Sequence, residues 1–246
     1  DAASARALQP GISLDTRSSV WMPSVAQVRP PRLTAALATS LRRRASVRIA
    51  EGCEVRGFER QSGQLTALET NQGRVAGAQF VLCAGAWSGG LGQQLGVELP
   101  IEPVRGQMLL FAAGPAELRR MVMCQGKYLI PRRDGRVLVG STLERVGFDR
   151  LPTASAHAQL YAAALKLMPA LASYALEAQW SGLRPGSPNG VPFIGRLPGF
   201  DNAWIDAGHF RNGVVLAPAA TRLLADLLLA RAPILDPTPY APWRGD

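Results

Sequence analysis

The sequence is poor in the residues that build metal centres and disulfide frameworks. Its three cysteines, Cys53, Cys83 and Cys124, lie far apart without a C-x-x-C pair, and its two histidines show no H-E-x-x-H spacing. Zinc sites need closely spaced ligands, and secreted disulfide scaffolds carry an even number of cysteines. We therefore predict no metal site, and we expect a reducing compartment such as the cytoplasm.

Long hydrophobic runs are also absent. No run approaches the roughly 20 apolar residues that cross a bilayer, and no signal peptide is recognisable. The longest apolar helix candidate, 217–230, contains Arg222 and Asp226. We expect no membrane span. The sequence begins D-A-A-S-A-R rather than with Met, so we expect a piece of something longer or a processed product.

Negative charge is scarce, and the net charge is +9, with only two lysines among the 27 basic residues. Such an excess is typical of nucleic-acid binding, or of an arginine-rich proteome combined with an anionic cofactor. The one basic cluster, 42–44, follows a helical segment and has no interleaved aromatic residues. It is typical of a solvated helix end, so the second alternative is favoured and we expect no nucleic-acid partner.

A diphosphate-binding fingerprint and a nucleophilic triad are both missing. The nearest match to G-x-G-x-x-G starts at Gly90, but it has Leu95 at the sixth position and does not follow its strand directly. A true fingerprint needs glycine or alanine there. We therefore predict a Gly-rich turn and a short helix at 90–96. No Ser-His-Asp arrangement is convincing, and His209 alone is as compatible with a structural role as with a functional one.

The patterns that are present predict a chain of mixed α/β class. Its 246 residues and 47% apolar content allow one large domain or two small ones. Prolines and leucines predict a helix at 31–44, and Thr153 and Pro169 bound a second helix at 154–168. Residues 1–28 are predicted to be irregular, and a last helix is predicted at 217–230. Strands are predicted at 47–49, 53–60, 64–70, 74–83, 101–111, 128–131, 136–140, 177–183 and 203–207, with a D-G hairpin turn at 134–135 and a nearly all-apolar end of 74–83 that we expect to be covered on both faces.

Residues typical of a ligand-binding site are most frequent between Trp180 and Pro218. This stretch reads W-S-G-L-R-P-G-S-P-N-G-V-P-F-I-G-R, and after a spacer G-H-F-R-N-G-V-V-L-A-P. Its composition is typical of a small-molecule site against a helix N-terminus. Arg184 follows a predicted strand and can offer a planar fork to a carboxylate, or it can form a structural ion pair. Tyr128 can present its hydroxyl to a ligand or lie in the core.

Taken together, these motifs resemble the FAD-dependent D-amino-acid oxidase family, and most of all its members that oxidise glycine in the thiamine pathway. The resemblance is carried, in family order, by V-L-C-A-G-A-W-S (81–88), V-R-G-Q (104–107), Y-L-I-P-R-R-D-G-R-V-L-V-G-S-T-L-E (128–144), G-F-D (147–149), G-L-R-P-G-S-P-N-G-V-P-F-I-G (182–195) and G-H-F-R-N-G-V-V-L-A-P (208–218). It implies an α/β (α+β) fold of the FAD-linked amine oxidase type. In this fold the mixed sheet of an incomplete FAD-binding domain is interleaved with an antiparallel-sheet substrate domain.

The resemblance also implies which segments form each domain. Substrate-domain segments are expected at 1–28 and 101–184, FAD-domain segments at 29–100, which includes the β-meander, and at 185–231, and an extended tail at 232–246. The family's G-x-G-x-x-G segment has no counterpart here. This absence implies an N-terminal segment or partner chain that supplies the segment. The family resemblance implies a small amino acid or amine and dioxygen as further partners, and it leaves a homo-oligomer open.

Site residues are implied position by position. Arg184 and Tyr128 would bind the substrate carboxylate, and Arg211 is placed at both the substrate and the cofactor. Backbone or side-chain contacts with FAD are implied for Val55, Ala84, Gly85, Gly208, His209, Arg211, Asn212, Gly213 and Val214. No side chain is implied as an acid or base, and no metal. The N-terminal end of the last helix would direct its positive pole at the flavin.

The expected activity is oxidative deamination of glycine, sarcosine or a small D-amino acid, with release of hydrogen peroxide. The cofactor would carry the redox chemistry, and the protein would supply orientation and electric field. Two alternatives stay open. One is a non-catalytic fragment or subunit that needs a partner to supply the G-x-G-x-x-G segment. The other is a related dehydrogenase with an acceptor other than dioxygen.

Overall fold

A computed structural model describes residues 1–116 and 118–242 of this chain. The chain divides into two units that alternate along the sequence. The first consists of Asp1–Val25 and Pro103–Arg184, and the second of Ala26–Glu102 and Pro185–Asp246. The end of the predicted tail, 243–246, lies outside the described residues, and the roles expected of the two domains stay predictions.

Helices and strands are mixed within both units. In the described part of the chain the α-helices are α1 Ala2–Leu8, α2 Pro30–Arg42, α3 Ser88–Gln94, α4 Ala154–Leu167 and α5 Gly213–Leu228, with short 3-10 turns at Gly85–Trp87, Pro169–Ser173, Pro188–Gly190 and Thr238–Tyr240. The strands are β1 Val55–Gln61, β2 Gln64–Thr70, β3 Gly73–Ala76, β4 Phe80–Leu82, β5 Glu102–Phe111, β6 Val122–Cys124, β7 Lys127–Pro131, β8 Val137–Gly140, β9 Leu176–Gly186, β10 Phe193–Arg196 and β11 Ala203–Ala207. The predicted mixed α/β class is confirmed.

The first unit is built on a five-stranded sheet of order β6-β7-β8-β5-β9. The pairs β6–β7, β7–β8 and β8–β5 are antiparallel. Leu109, Val139 and Leu129 lie opposite one another on three adjacent strands, and all three are fully buried. They pack in one cluster with Leu160 and Ala164 of α4. Because side chains alternate across a strand, the neighbouring row Met108, Gly140 and Tyr128 lies on the opposite face.

Helix α4 forms where the sequence predicts it. Its N-cap is Thr153, whose hydroxyl accepts a hydrogen bond from the Ala156 amide at 3.2 Å. Pro169 starts a 3-10 turn directly after Met168, the C-cap. The Thr153 hydroxyl also accepts from Gln107 Nε2 at 3.1 Å, so the cap ties the helix to strand β5.

We predict that Thr153→Ala lowers the free energy of unfolding by about 1–2 kcal/mol, because it removes both of these hydrogen bonds. Equilibrium urea denaturation measures this change. The matched control is Ser155→Ala, an exposed hydroxyl in the same helical turn, which should stay within about 0.5 kcal/mol of the parent. Equal values for the two variants would contradict the capping role.

The second unit contains two three-stranded sheets. The antiparallel meander β1-β2-β3 is one, and the other has the order β10-β11-β4, in which β10–β11 is antiparallel and β11–β4 is parallel. Apolar residues from both sheets, including Leu65, Phe193 and Ile205, share one core cluster. Helix α5 packs on Ile194 of β10 through Ala220, Leu223 and Leu224.

Several predicted elements are confirmed, and several are wrong. Helices α2 and α4, strand β2, the β7–β8 hairpin and strand β11 form as predicted. Residues 1–28 are not all irregular, because Asp1 accepts from the Ser4 amide at 2.8 Å and caps the alanine-rich helix α1. Residues 47–49 form no strand. β-Branched residues favour a strand only where a neighbouring strand pairs with their main chain, and no strand of the described residues pairs with this segment.

The predicted strand 74–83 divides into two. Its first part, β3, ends the meander, whereas β4 pairs with β11 in the other sheet, and the residues between them interrupt the pairing. Val81 of β4 is 43% exposed, so the expectation that this strand is covered on both faces is wrong. The short strands β6 and β10 were not predicted, because three or four residues carry too little periodicity to be recognised.

Two elements are longer than predicted at the residues of most interest. Strand β9 continues through Arg184 to Gly186, so Arg184 lies within the strand rather than after it. Helix α5 begins at Gly213 and contains Pro218, whereas the prediction placed its start beyond Val215. Pro218 is the sixth residue of this helix and has no amide to donate to the Val214 carbonyl. The described part of the predicted extended tail includes the turn Thr238–Tyr240.

Candidate functional site

Arg184 is held against the first unit's sheet by hydrogen bonds to a neighbouring segment. Its Nη2 donates to Ser141 Oγ at 2.8 Å, and its Nη1 donates to the Thr142 carbonyl at 3.2 Å. Ser141 and Thr142 directly follow strand β8. The Arg184 side chain is partly buried. These bonds fix the plane of the guanidinium group, which a bidentate partner for a carboxylate requires.

Gly106 of β5 provides the surface on which this guanidinium lies. A Cβ atom built on Gly106 would overlap Cζ and both terminal nitrogens of Arg184. Gly106 is two residues from Met108, and side chains two apart on a strand share a face. The guanidinium therefore lies on the face opposite the α4 core. Only glycine allows this approach, because any side chain at position 106 would occupy the same space.

Tyr128 lies on the same face of the sheet, one row along from Arg184. It is opposite Gly140, and a Cβ on Gly140 would overlap the tyrosine ring and hydroxyl. The hydroxyl donates to the Met108 sulfur at 3.5 Å, a weak bond. Two glycines thus make room for the two side chains predicted to bind a carboxylate, and the sheet brings a guanidinium and a phenol to one face.

A network of polar groups, of which Arg105, Gln107 and Thr142 are buried, supports the segment that holds Arg184. The Thr142 hydroxyl accepts from the Gln107 amide at 2.9 Å and donates to the Glu144 carboxylate. Glu144 also accepts from Arg105 Nε at 3.0 Å and from Arg105 Nη2 at 2.6 Å. Arg105 is only 4% exposed and also donates to Asp149 Oδ2 at 2.6 Å. Sequence reasoning did not identify any of these residues as functional.

The charge of Glu144 is maintained by its donors. Burial by itself would raise the pKa of Glu144, but hydrogen bonds from Thr142, Arg105 and Gln107 outweigh it and hold the pKa below its ordinary value. The same ion pair raises the pKa of Arg105. Both groups are therefore charged at neutral pH, and the network contains a complete ion pair.

In the second unit, a strained loop connects β11 to α5. Gly208 has φ of 84° and Phe210 has φ of 48°, both in the left-handed region. The loop is held in place by Ser187, whose hydroxyl donates to the Gly208 carbonyl at 2.7 Å, and by the Phe210 amide, which donates to the Pro185 carbonyl at 2.9 Å. Strain in a well-anchored loop is typical of ligand-binding segments.

Of the other predicted residues, His209, Arg211 and Asn212 lie in this loop, and Val214 lies in the first turn of α5. His209 Nε2 is 3.2 Å from Asp206 Oδ1, but the two buried atoms are not aligned for a hydrogen bond. Arg211 is exposed. Asn212 is the N-cap of α5, yet its side chain makes no capping bond, and the first turn has no acidic residue. Val214 is 49% exposed.

Val55, Ala84 and Gly85 lie elsewhere in the second unit. Val55 begins strand β1 and pairs with Thr70. Ala84 and Gly85 follow β4 after one intervening residue, and Gly85 has φ of 55° with nothing within 4 Å of the point where a Cβ would lie. Next to them, Cys83 is exposed as a residue, but desolvation of its sulfur and the Asp206 carboxylate raise the pKa of its thiol, which disfavours a nucleophilic role.

Comparison with known proteins places these features in a family. The family model described as "FAD dependent oxidoreductase" matches residues 1–227. The chain belongs to this family of FAD dependent oxidoreductases. The resemblance inferred from the sequence motifs is thereby confirmed.

Similar relatives include two named "Glycine oxidase". The one from Pseudomonas aeruginosa is 50% identical over 238 residues, covering 97% of this chain and 65% of the relative. The one from Pseudomonas putida is 49% identical over 226 residues, covering 92% of this chain and 62% of the relative. A crystal structure of glycine oxidase from Geobacillus kaustophilus superposes with a TM-score of 0.93 at 30% identity, covering 99% of this chain and 66% of that chain.

This chain of the FAD dependent oxidoreductase family thus spans slightly less than two thirds of the length of those relatives. The matches do not favour the alternative of a non-catalytic fragment or subunit. In the described ranges 1–116 and 118–242, no helix is long and apolar enough to cross a membrane. Within those same ranges, no group of three or more His, Cys, Asp or Glu side chains could hold a metal ion.

The second unit contains groups that fit a flavin dinucleotide. The first amides of α5 receive no side-chain cap, so they are available to an electronegative ligand edge at the positive pole of the helix. The left-handed Gly85 turn has no Cβ to block the close approach of a phosphate or ribose. These observations are compatible with FAD, and the roles of the individual residues remain proposals.

The sequence contained a signal for the residues that were overlooked. Gly106 and Gln107 belong to the motif V-R-G-Q, and Ser141, Thr142 and Glu144 belong to the end of the long motif 128–144. Both motifs carry the family resemblance, but neither by itself indicates a role for these residues. The Gln107 side chain donates to the Glu144 carboxylate and the Gln107 amide donates to the Thr142 hydroxyl, and a reading of separate segments does not show these contacts between β5 and the residues after β8.

Proposed function

We propose that this protein catalyses the FAD-dependent oxidative deamination of glycine or a similar small amino acid such as sarcosine or a small D-amino acid. The amino acid loses two electrons and two protons to become an imine, which water hydrolyses to the oxo acid and an amine or ammonia. Dioxygen accepts the two electrons and two protons and becomes hydrogen peroxide. The single observation that carries this proposal is the guanidinium of Arg184 fixed over Gly106 in a chain of this family.

Arg184 would bind the substrate carboxylate through its planar fork, and Tyr128 would donate its hydroxyl to the same group. A charge-assisted hydrogen bond to a carboxylate is about twice as strong as a neutral one. Fixing one end of a small amino acid limits the positions that its Cα–H bond can take. Orientation of this kind supplies much of the rate in reactions where the cofactor performs the redox step.

FAD would be held by the second unit. We propose contacts from Val55, Ala84 and Gly85, and from the loop residues Gly208, His209, Arg211, Asn212, Gly213 and Val214. Bound FAD supplies the two-electron acceptor for the substrate. The uncapped N-terminus of α5 would stabilise negative charge on the flavin, because its amides and helix dipole present positive potential.

A panel of amines tests the proposal directly. We predict that glycine, sarcosine and D-alanine support oxygen uptake with matching peroxide release by the purified flavoprotein. Methylamine and ethylamine lack the carboxylate, so their kcat/KM should be at least about 100-fold lower. An oxygen electrode measures the oxygen uptake, and a coupled peroxidase assay measures the peroxide released.

Two results would contradict this proposal in different ways. If methylamine and glycine react equally well, the enzyme has no carboxylate anchor. If glycine reduces the bound flavin without air but causes no oxygen uptake in air, the protein is a dehydrogenase with another electron acceptor.

A further inference from the structure

The position of the Arg184 guanidinium depends on two consecutive residues, Ser141 and Thr142. Two hydrogen bonds of the guanidinium end on this pair, one on a hydroxyl and one on a main-chain carbonyl. A shift of the pair would therefore move the guanidinium with it. What holds Ser141 and Thr142 in place consequently also determines where a carboxylate can bind.

Thr142 is held by two hydrogen bonds to the main chain of Gln107. Its amide donates to the Gln107 carbonyl at 3.4 Å, and its hydroxyl oxygen accepts from the Gln107 amide at 2.9 Å. An oxygen that accepts from this amide must point its own proton elsewhere, and it points at the Glu144 carboxylate. A carboxylate can only accept, so a charged Glu144 fixes the direction of the hydroxyl proton.

Glu144 is itself fixed by a rigid donor. Arg105 Nε and Nη2 both donate to Glu144 Oε2, while Gln107 Nε2 donates to Oε1 at 3.0 Å. The main chains of Arg105 and Glu144 exchange two further hydrogen bonds, of 2.8 and 3.0 Å. The ion pair therefore joins strand β5, which carries Gly106 beneath the guanidinium, to the segment that holds the guanidinium from the side.

We propose that Glu144 is a positioning residue for the substrate-binding Arg184, acting through Thr142 and fixed by Arg105. This inference rests on the proposed function, because it assumes that Arg184 binds a substrate carboxylate. Glu144 itself does not touch the substrate. It keeps the Thr142 carbonyl in place, and the hydrogen bond from Arg184 Nη1 to this carbonyl keeps the guanidinium turned toward the substrate carboxylate.

The test is a double-mutant cycle between Glu144→Gln and Arg184→Ala in the flavin-loaded protein. Glu144→Gln keeps the size but faces Arg105 with an amide, so it weakens the pair that fixes the segment. We expect the KM for glycine to rise about tenfold, and the dissociation constant of acetate, measured by calorimetry, to rise by a similar factor. We expect kcat to change less than about twofold.

The decisive value is the effect of Glu144→Gln when Arg184 is already alanine. If Glu144 acts through Arg184, the second substitution weakens acetate binding by less than about twofold in that background. If the two effects multiply, or if Glu144→Gln leaves KM and acetate binding unchanged, the inference is wrong. If Arg184→Ala alone changes neither quantity, the proposed anchor itself fails, which is a separate result.

Two further variants complete the test. Thr142→Val removes the hydroxyl that donates to Glu144 and keeps the shape of the side chain. If Glu144→Gln does not fold, Thr142→Val replaces it, and the KM for glycine and the dissociation constant of acetate are compared in the same way. Glu177→Gln is the matched control. Glu177 lies on strand β9 of the same sheet, and the substitution breaks its exposed ion pair with Arg136. We expect its KM and acetate affinity to equal those of the parent protein.

Discussion

Arg184→Ala is expected to lower kcat/KM for glycine by about 100- to 1000-fold, because the substrate carboxylate loses two charge-assisted hydrogen bonds. Most of the change should appear in KM, and the flavin spectrum should be unchanged because no residue of the second unit is altered. Arg184→Lys keeps the charge without the planar fork, so an intermediate value is expected. Steady-state oxygen uptake over a range of glycine concentrations measures each constant.

The matched control for this prediction is Arg133→Ala, which removes an exposed arginine from the turn between β7 and β8. It changes the net charge by the same amount, so it separates the local effect of Arg184 from general electrostatic attraction of an anionic substrate. We expect less than about a twofold change, since an exposed charge is largely screened by salt. A KM that rises equally in both variants would assign the effect to net charge.

The second large effect is expected from Gly106→Ala, the addition of a single methyl group beneath the guanidinium. The added Cβ would overlap the end of the Arg184 side chain, which is flexible and can move away. The strand should therefore survive while the fork is displaced. Because a displacement of about 1 Å can cost about 100-fold in rate, we expect kcat/KM to fall about 10- to 100-fold.

Gly182→Ala provides the comparison for this variant. Gly182 lies on the same strand as Arg184, but a Cβ there meets nothing within 4 Å. We expect both variants to unfold at similar temperatures and only Gly106→Ala to lose activity. Loss of the folded state in Gly106→Ala would show that the strand rather than the guanidinium is disturbed, and unchanged kinetics would show that the contact does not position Arg184.

Local sequence signals were sufficient where an element depends on neighbouring residues. Thr153 and Pro169 bound helix α4, because a cap and a breaker act within one turn. The Asp134–Gly135 turn closes the β7–β8 hairpin because glycine readily takes the left-handed conformation found at Gly135, whose amide donates to the Arg132 carbonyl at 3.0 Å. The family motifs likewise identified the oxidoreductase family, since their order along the chain is specific.

Elements that depend on distant partners were predicted less well. The stretch 74–83 was expected to be one strand, but β3 belongs to the meander and β4 pairs with β11, more than a hundred residues later. Short strands such as β6 form because a partner is present rather than because of their own periodicity. Helix α5 begins at Gly213, four residues before the predicted start at 217.

The sequence alone determined the chemistry that this protein can offer. It contains an arginine and a tyrosine that suit a carboxylate, a Gly-rich loop before an apolar helix, and motifs of a flavin-dependent family. Tertiary structure alone decided how these groups are arranged. It placed the Arg184 guanidinium on Gly106 and connected Glu144 to Thr142 and Arg105, because only strand pairing brings residues that are distant along the chain within hydrogen-bonding range.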